Sequence, residues 1–485
     1  MSLALAAALC KACGMTTPAQ SALIDTVIAR FGPKAAITDP ADIAPWLTDW
    51  RGRWHGQSAA ILSPASTAEV AAIVALAAEH RVPLVPQGGN SGMVGGATPP
   101  SDGSALLVSL RRMNAIRHLS PNLAVAEAGV ILETLHNAAA TIDRRFPLTL
   151  GARGSATVGG LVSTNAGGTQ VLRFGPMRNL VAGVEAVLPN GSIHDGLAAL
   201  KKDNRGYSLD QLFIGAEGTL GIVTAAALRL VPAITDRAVA WLGVARPHDA
   251  LAILRALDGQ TGRIEGLEII NADSLAKVLD RIFGTRAPLL SEHPWHVLVE
   301  ATAHDAAEEP SAALLARLLA PLMGSLIADA TISASEAQAL AFWHIRDSIS
   351  EAERATGPSL AHDVSVPVDS MPDFMIDGAA AVERGFPGAH ASCFGHLGDG
   401  NVHFHVFPPP GDGQKWMIEN GEAASRLVHD LVVAAGGSIS AEHGIGQMKK
   451  DELARLGPPA RLHALAAIKH ALDPDRLMNP GKLID

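Results

Sequence analysis

Imidazoles and a carboxylate gather late in this chain, in His396-Leu-Gly-Asp-Gly-Asn-Val-His403, in Phe404-His405 and in Glu442-His443-Gly-Ile-Gly446. His396, His403 and Glu442 make a two-histidine, one-carboxylate set of the kind that holds a divalent metal and leaves coordination positions open. His443, beside the carboxylate, is placed to serve as a base. A histidine alone is more often a hydrogen-bonded core or surface residue; the clustering is what favours a metal. The elements that must position these groups follow from the same residues. Gly398-Asp-Gly-Asn401 predicts a tight turn. Asn401 to Val406 alternates polar and apolar, so His403 and His405 share one face of a strand and Val402, Phe404 and Val406 the other.

Upstream, glycine-rich segments recur three times. The first is Pro86-Gln87-Gly88-Gly89-Asn90-Ser91-Gly92. The second runs from Gly151 through Gly154, Ser155 and Thr157 to Gly159-Gly160, and continues to Asn165-Ala-Gly167-Gly168. The third is Gly215-Ala-Glu217-Gly218-Thr-Leu-Gly221-Ile222-Val223. Successive N–H groups in such turns form anion-binding concavities that suit a pyrophosphate. Thr157, Ser163 and Asn165 add hydrogen-bonding groups. No segment fits the Rossmann fingerprint, and no Walker-type Gly-Lys-Ser/Thr occurs, which argues against an NTPase. The three together favour a dinucleotide.

With 485 residues, two or three domains are expected, and 48% hydrophobic residues suffice for their cores. The net charge of -10 argues against non-specific nucleic-acid binding. The three cysteines Cys10, Cys13 and Cys393 are no disulfide framework, and the Cys10/Cys13 spacing is discounted as a metal or redox site. Leu3 to Leu9 resembles a signal core, but no Lys or Arg precedes it and Lys11 follows at once. Met15 offers an alternative start. No apolar stretch is long enough to span a bilayer, so a cytoplasmic location is expected.

The chain reads as four parts. Residues 1–53 are a helical preface, with a helix over Ala22 to Phe31 docked by Trp46 and Trp50. Residues 54–232 carry the glycine segments among alternating strands and helices. The strands are expected at Ala59 to Pro64, Val82 to Pro86, Leu106 to Leu110, Leu123 to Ala128, Val184 to Leu188 and Ile222 to Leu230. Ser66 and Glu69 have capping-box form and open a helix through Ala78. Residues 233–440 form an α+β domain, with strands at Trp241 to Val244, His296 to Glu300 and Ala389 to Cys393. Its helices are expected at Pro310 to Leu322 and Ser335 to Ala352. Residues 441–485 are a tail, helical from Asp451.

The glycine segments, Glu217-Gly-Thr-Leu-Gly221, the histidine motifs and Asn479-Pro-Gly-Lys482 together resemble the vanillyl-alcohol-oxidase-type flavoproteins. Within them the resemblance is to the FAD-dependent D-2-hydroxyacid dehydrogenases, above all those acting on 2-hydroxyglutarate and lactate, and it covers nearly everything after residue 50. It implies an α+β fold: a two-subdomain FAD-binding domain, an α+β substrate (cap) domain, and a helical tail returning to the flavin. The implied FAD site comprises the first two segments from Pro86 and from Leu150, the third around Glu217 to Val223, and Asn479. His396, His403 and Glu442 match metal ligands, usually zinc, and His443 matches the base. Arg346 and Ser350 match substrate-carboxylate anchors, and their four-residue spacing puts both on one helix face. Two positions depart from the 2-hydroxyglutarate pattern: Ala361 where a Lys is usual, and His405 where an Asn is usual. His405 is thus either a substrate contact, a support for the metal site or an ordinary strand histidine. The implied reaction oxidises a D-2-hydroxyacid of the 2-hydroxyglutarate, lactate or malate class. Its electrons pass to an electron-transfer flavoprotein, a quinone or a cytochrome rather than to NAD, and a homodimer is expected. The alternative is an FAD-dependent non-redox transferase of the alkyl-dihydroxyacetone-phosphate synthase type.

Overall fold

The computed structural model describes residues 16–411 and 413–484, so Leu3 to Leu9, Cys10, Cys13 and Met15 lie outside the described residues. The described chain divides into two compact units, one of residues 16–166, 176–232 and 443–484, the other of residues 167–175 and 233–442.

The first unit holds three sheets, two larger ones and a short two-stranded pair. One is four-stranded, of β1 (Ala36–Ile37), β2 (Ile61–Leu62), β3 (Leu84–Gln87) and β4 (Leu106–Ser109) in the order β1-β2-β4-β3, with β4 parallel to both β2 and β3. A helix, Thr67–His80, links β2 to β3. Ser66 Oγ accepts the Glu69 N–H at 3.2 Å, but the Glu69 carboxylate takes the N–H of Ala65, so only half of the expected capping box forms. The preface helix starts earlier than its apolar spacing suggests, at Pro18, because Thr17 and Gln20 cap it reciprocally. Leu23, Ile24 and Val27 dock it against Val70, Ile73 and Val74 of the linking helix. Trp50 is 56% exposed, while Trp46 packs on the cluster of Ile43 and Ile61, under the Arg111 guanidinium.

The second sheet is antiparallel, of β5 (Ile116–Ser120), β6 (Leu123–Glu127), β8 (Val181–Val187), β9 (Ile193–Asp195) and β10 (Ile222–Arg229) in the order β5-β6-β10-β8-β9. A short pair, β7 (Arg144–Arg145) and β11 (Val231–Pro232), flanks it. The tail folds back onto this unit through Lys450–Leu456 and Pro459–Leu472. It then runs beside β3, where Leu84 N–H donates to Leu477 O and Asn479 N–H donates to Leu84 O, both at 2.8 Å. Buried Lys469 ties the turn by donating to Thr219 O, Met478 O and the Asp473 carboxylate.

The second unit is one antiparallel seven-stranded sheet of β12 (Asp236–Val244), β13 (Ile264–Asn271), β14 (Trp295–Ala303), β15 (Asp329–Ile332), β16 (Leu360–Ser365), β17 (His390–His396) and β18 (Asn401–Phe407). Its order is β15-β12-β14-β13-β17-β18-β16. The expected alternation on β18 is present: Val402, Phe404 and Val406 enter the large core with Val299, Ile269, Phe374 and Val428. The helix expected over Ser335 to Ala352 is two, Glu336–Asp347 and Ile349–Thr356, divided at Ser348. Asp347 and Ser348 are residues whose side chains compete with helical hydrogen bonding. The division removes the shared face expected for Arg346 and Ser350. Ser350 is exposed beyond it, whereas the Arg346 side chain is largely buried.

Candidate active site

The metal-type set lies on the face of the seven-stranded sheet opposite the large apolar core. β17 and β18 are joined through Leu397 to Gly400, and Gly400 has φ +79 with no room for a Cβ, which would meet Val366 O at 2.1 Å. That turn sets His396 at the end of one strand and His403 two residues into the next. One donor atom from each of His396, His403 and Glu442 lies within 4.8 Å of the others. Two imidazoles and a carboxylate at that separation fit a divalent cation with positions left for substrate oxygens.

The groups behind this set fix its chemistry. Glu268, 1% exposed, stands directly across from His396 in the β13–β17 register. Its Oε1 lies 2.7 Å from His396 Nδ1; a carboxylate only accepts, so Nδ1–H donates and Nε2 is the atom left for a metal. Arg346 Nε donates to the other Glu268 oxygen at 2.8 Å, and Arg346 Nη2 reaches to 3.2 Å from His396 Nε2. Burial disfavours the His396 cation, yet Glu268 overrides that and pushes its pKa up to about 9. His403 moves the other way: burial first, then the charges of His396 and Arg346, lower its pKa well below the usual value. Glu442 rises to about 7, through burial and the nearby Asp363 and Asp399 carboxylates, against the opposing pull of His396. Asp363 organises this corner, accepting from Asn401 Nδ2 and from the backbone N–H of Glu442, both at 2.9 Å.

Other expected site residues are distributed unevenly. Arg346 belongs to the cluster and Ser350 does not. His405 shares the histidine face of β18 but is buried and hydrogen-bonded to Glu353, itself 1% exposed, so its polarity is satisfied within the sheet–helix layer. Ala361 and His405, the two departures from the 2-hydroxyglutarate pattern, stand directly opposite each other in the β16–β18 register. Gly167 and Gly168, expected with the flavin, fall in this unit. A Cβ on Gly167 would lie 3.1 Å from Glu442 Oε1, so that glycine makes room for the Glu442 carboxylate. Glu268, Asp363 and Glu353 were not anticipated.

The first unit gathers the remaining glycine segments. Gly89 packs so tightly on Ser155 that a Cβ would come within 1.9 Å of Ser155 O, which brings the first and second segments together. Gln87 Nε2 donates to Trp46 O and Ala97 O, and Asn479 Nδ2 to Gly96 O and Glu217 O. Those partners are carbonyls, so the amide nitrogens must face them. The oxygens, Gln87 Oε1 and Asn479 Oδ1, are left buried with no partner, as is Thr157 Oγ1. Three orphaned buried atoms beside a close-packed glycine cradle fit a bound polar cofactor such as FAD. Asn90 and Asn165 spend their side chains on the protein, on Thr48 O and the Arg178 N–H. Gly151, Gly154 and Ser155 form an exposed turn after Leu150, Ser163 O accepts the Glu217 N–H, and Ile222 and Val223 open β10.

Residues 58–196 match the model of the FAD binding domain, and residues 234–483 that of the FAD linked oxidases, C-terminal domain. Among similar proteins is the D-2-hydroxyglutarate dehydrogenase of Xanthomonas citri pv. viticola, 36% identical over 451 residues, which are 92% of this chain and 94% of that one. Solved structures with the same fold include p-cresol methylhydroxylase with substrate bound (TM-score 0.72, 16% identity, 97% of this chain and 98% of that chain). Alkyldihydroxyacetonephosphate synthase is another (TM-score 0.71, 15% identity, 96% and 86%). Fold and cradle together define a flavoprotein of the vanillyl-alcohol-oxidase type. The chain belongs to the FAD-linked D-2-hydroxyacid dehydrogenases of that group and is an FAD-linked oxidoreductase. The non-redox transferase shares the fold but at an identity that speaks for fold alone.

Proposed function

We propose that this chain oxidises a D-2-hydroxyacid to the 2-oxoacid at the His396–His403–Glu442 set. The observation that carries the proposal is that set itself, backed by Glu268 and Arg346, in a chain 36% identical to a D-2-hydroxyglutarate dehydrogenase. Bound FAD supplies the acceptor for a hydride. A divalent cation held at that set, zinc by analogy with the family, would supply Lewis acidity to the bound hydroxyacid. His396, held by Glu268, and His403 and Glu442, held near Asp363, are the residues that would bind it. Arg346 offers its guanidinium to a substrate carboxylate. His443 takes the hydroxyl proton as the Cα hydride leaves. The two electrons pass on to an acceptor of the electron-transfer-flavoprotein, quinone or cytochrome kind. A substrate of the 2-hydroxyglutarate, lactate or malate class is consistent with the site, and Ala361 removes one cation expected for a second carboxylate.

An anaerobic spectral screen tests this. D-2-hydroxyglutarate, D-lactate or D-malate should bleach the flavin where the L-enantiomers do not, and chelation should stop the bleaching until metal is returned. Bleaching that persists in exhaustively chelated protein would remove the metal from the mechanism; no bleaching by any D-2-hydroxyacid would remove the reaction.

A further inference from the structure

Glu217 sits between the glycines of the third segment, at φ 52, in the left-handed region that Gly or Asn occupies at less cost. A glutamate held there is held for its carboxylate. That carboxylate is buried and accepts two backbone N–H groups, from Ile445 to Oε1 and from Gly446 to Oε2, each at 2.7 Å. These are the second and third residues after His443. The same residue's N–H donates to Ser163 O, at the second glycine segment, and its carbonyl accepts from Asn479 Nδ2 in the tail. The loop it grips is shaped to receive it. Gly444 has φ +81, and a Cβ there would lie 2.8 Å from Glu217 Oε1; Gly446 has φ +52, and a Cβ there would lie 2.3 Å from Val94 O. The loop is closed from its other side by the Gln447 N–H on Val94 O and the Leu483 N–H on Gly446 O.

We infer that Glu217 is the positioning residue for His443, clamping the loop that carries the base to the segment that, with Asn479, lines the cofactor cradle. Both oxygens of its carboxylate are spent on backbone N–H groups, so its role is exerted through the loop and not on substrate. Its part is to register the base with the flavin-binding loops, so that one residue ties the loop of the proton acceptor to the second glycine segment and to Asn479. A carboxylate can accept both N–H bonds at once. The isosteric carboxamide accepts one and turns an NH₂ toward the other donor, so Glu217→Gln breaks the clamp with little change in volume.

The inference rests on His443 being the base, and two arms keep the questions apart. Amide hydrogen exchange on the FAD-loaded protein reads the clamp directly. In Glu217→Gln, a peptide covering residues 442–447 should exchange faster by roughly tenfold or more, as loss of a charge-assisted hydrogen bond implies. Peptides of β10 should be unchanged. Kinetics read the consequence. With D-2-hydroxyglutarate or D-lactate and a dye acceptor, kcat should fall roughly ten- to a hundredfold at near-constant KM and full FAD content, and the isotope effect of the 2-deuterated substrate should rise. Gly444→Ala, pressing on the same oxygen, should repeat both changes. Unaltered exchange at 442–447 overturns the clamp whatever the substrate proves to be. Unaltered kcat, or kcat lost only in proportion to FAD, overturns its bearing on the base. If His443→Asn turns over normally while the exchange result holds, the assignment of the base fails and the clamp stands.

Discussion

The two faces of the seven-stranded sheet differ in how much polarity they bury. One is filled by shape: Leu242, Val299, Ile269, Val402, Phe404 and Val406 join helix residues such as Leu315, Phe374 and Val428 in a continuous apolar core. The other carries a smaller apolar cluster, of Val239, Trp241, Ile270, Leu298 and Phe394, and among it buries Glu268, His296, Glu300, His396 and His405. Each of these is answered by a specific partner: Arg346 for Glu268, Glu268 in turn for His396, Trp241 Nε1 for His296, Trp343 Nε1 for Glu300 and Glu353 for His405. Apolar packing is collective, and losing one group there costs volume. The polar face is pairwise, and removing one partner strands another charge or dipole where water cannot reach it. Hydrophobic replacement of a buried ion pair such as Glu268–Arg346 is often neutral or stabilising, so stability alone does not account for it, in keeping with the function proposed for that face.

The largest effect should come from breaking the polar face at its centre. Glu268→Ala leaves the Arg346 guanidinium and the His396 ring without their shared carboxylate, and should cost about 3–5 kcal/mol of stability. Freed of its Nδ1 partner, His396 should also bind zinc roughly 10- to 100-fold more weakly. Thermal denaturation and zinc titration against a competing chelator check both. A Glu268→Ala protein with unchanged zinc affinity would mean that the carboxylate serves folding alone. On the other face, Phe404→Leu keeps most of the volume and should cost only about 1 kcal/mol. Zinc affinity should not move, although Phe404 lies between His403 and His405 in sequence. If this substitution weakens zinc as much as Glu268→Ala does, the two faces are coupled and the comparison fails.

How far the sequence reveals this differs between the faces. Alternation along Asn401 to Val406 announced both sides of β18, because a period of two carries burial directly. The His396–His403 turn was equally plain, since Gly398 and Gly400 permit the positive φ and close backbone approach that a tight turn needs. What supports the site was hidden. Glu268 lies in Ile264–Asn271, a strand whose apolar run is broken by Glu265, Gly266 and Glu268 and so carries no clear period. An acidic residue amid aliphatic strand formers is the signal that could have found it, for burying one requires a cationic partner. That partner, Arg346, comes from a helix 78 residues away, and no local pattern carries such a pairing. The break at Ser348 was hidden likewise, because Arg346 and Ser350 keep helical spacing on either side of it. The glycine segments showed that backbone approaches something closely, but not that Glu217 would spend its carboxylate on the loop after His443.

The smallest effect expected sharpens the comparison within a single strand. β17 begins at His390, half exposed and paired with Asp273 at 3.2 Å and Glu383 at 3.1 Å, and ends at buried His396. Lys277, on Asp273 at 2.7 Å, also faces the His390 pair. The hydrogen bond to Asp273 is the main cause that raises the His390 pKa, against the opposing effects of burial and Lys277. A raised value in the folded state means that the stabilisation is complete below the unfolded value of about 6.5 and disappears as pH rises through the folded one. Solvent screening at a half-exposed site should keep it under about 1 kcal/mol. His390→Asn should therefore lower Tm slightly at about pH 5.5 and not at about pH 8.5. A difference that persists unchanged at the higher pH would show that His390 holds its strand end by packing on Phe407, with which its ring stacks. Charge would then have no part at the exposed end of β17, and would matter only where the strand is buried.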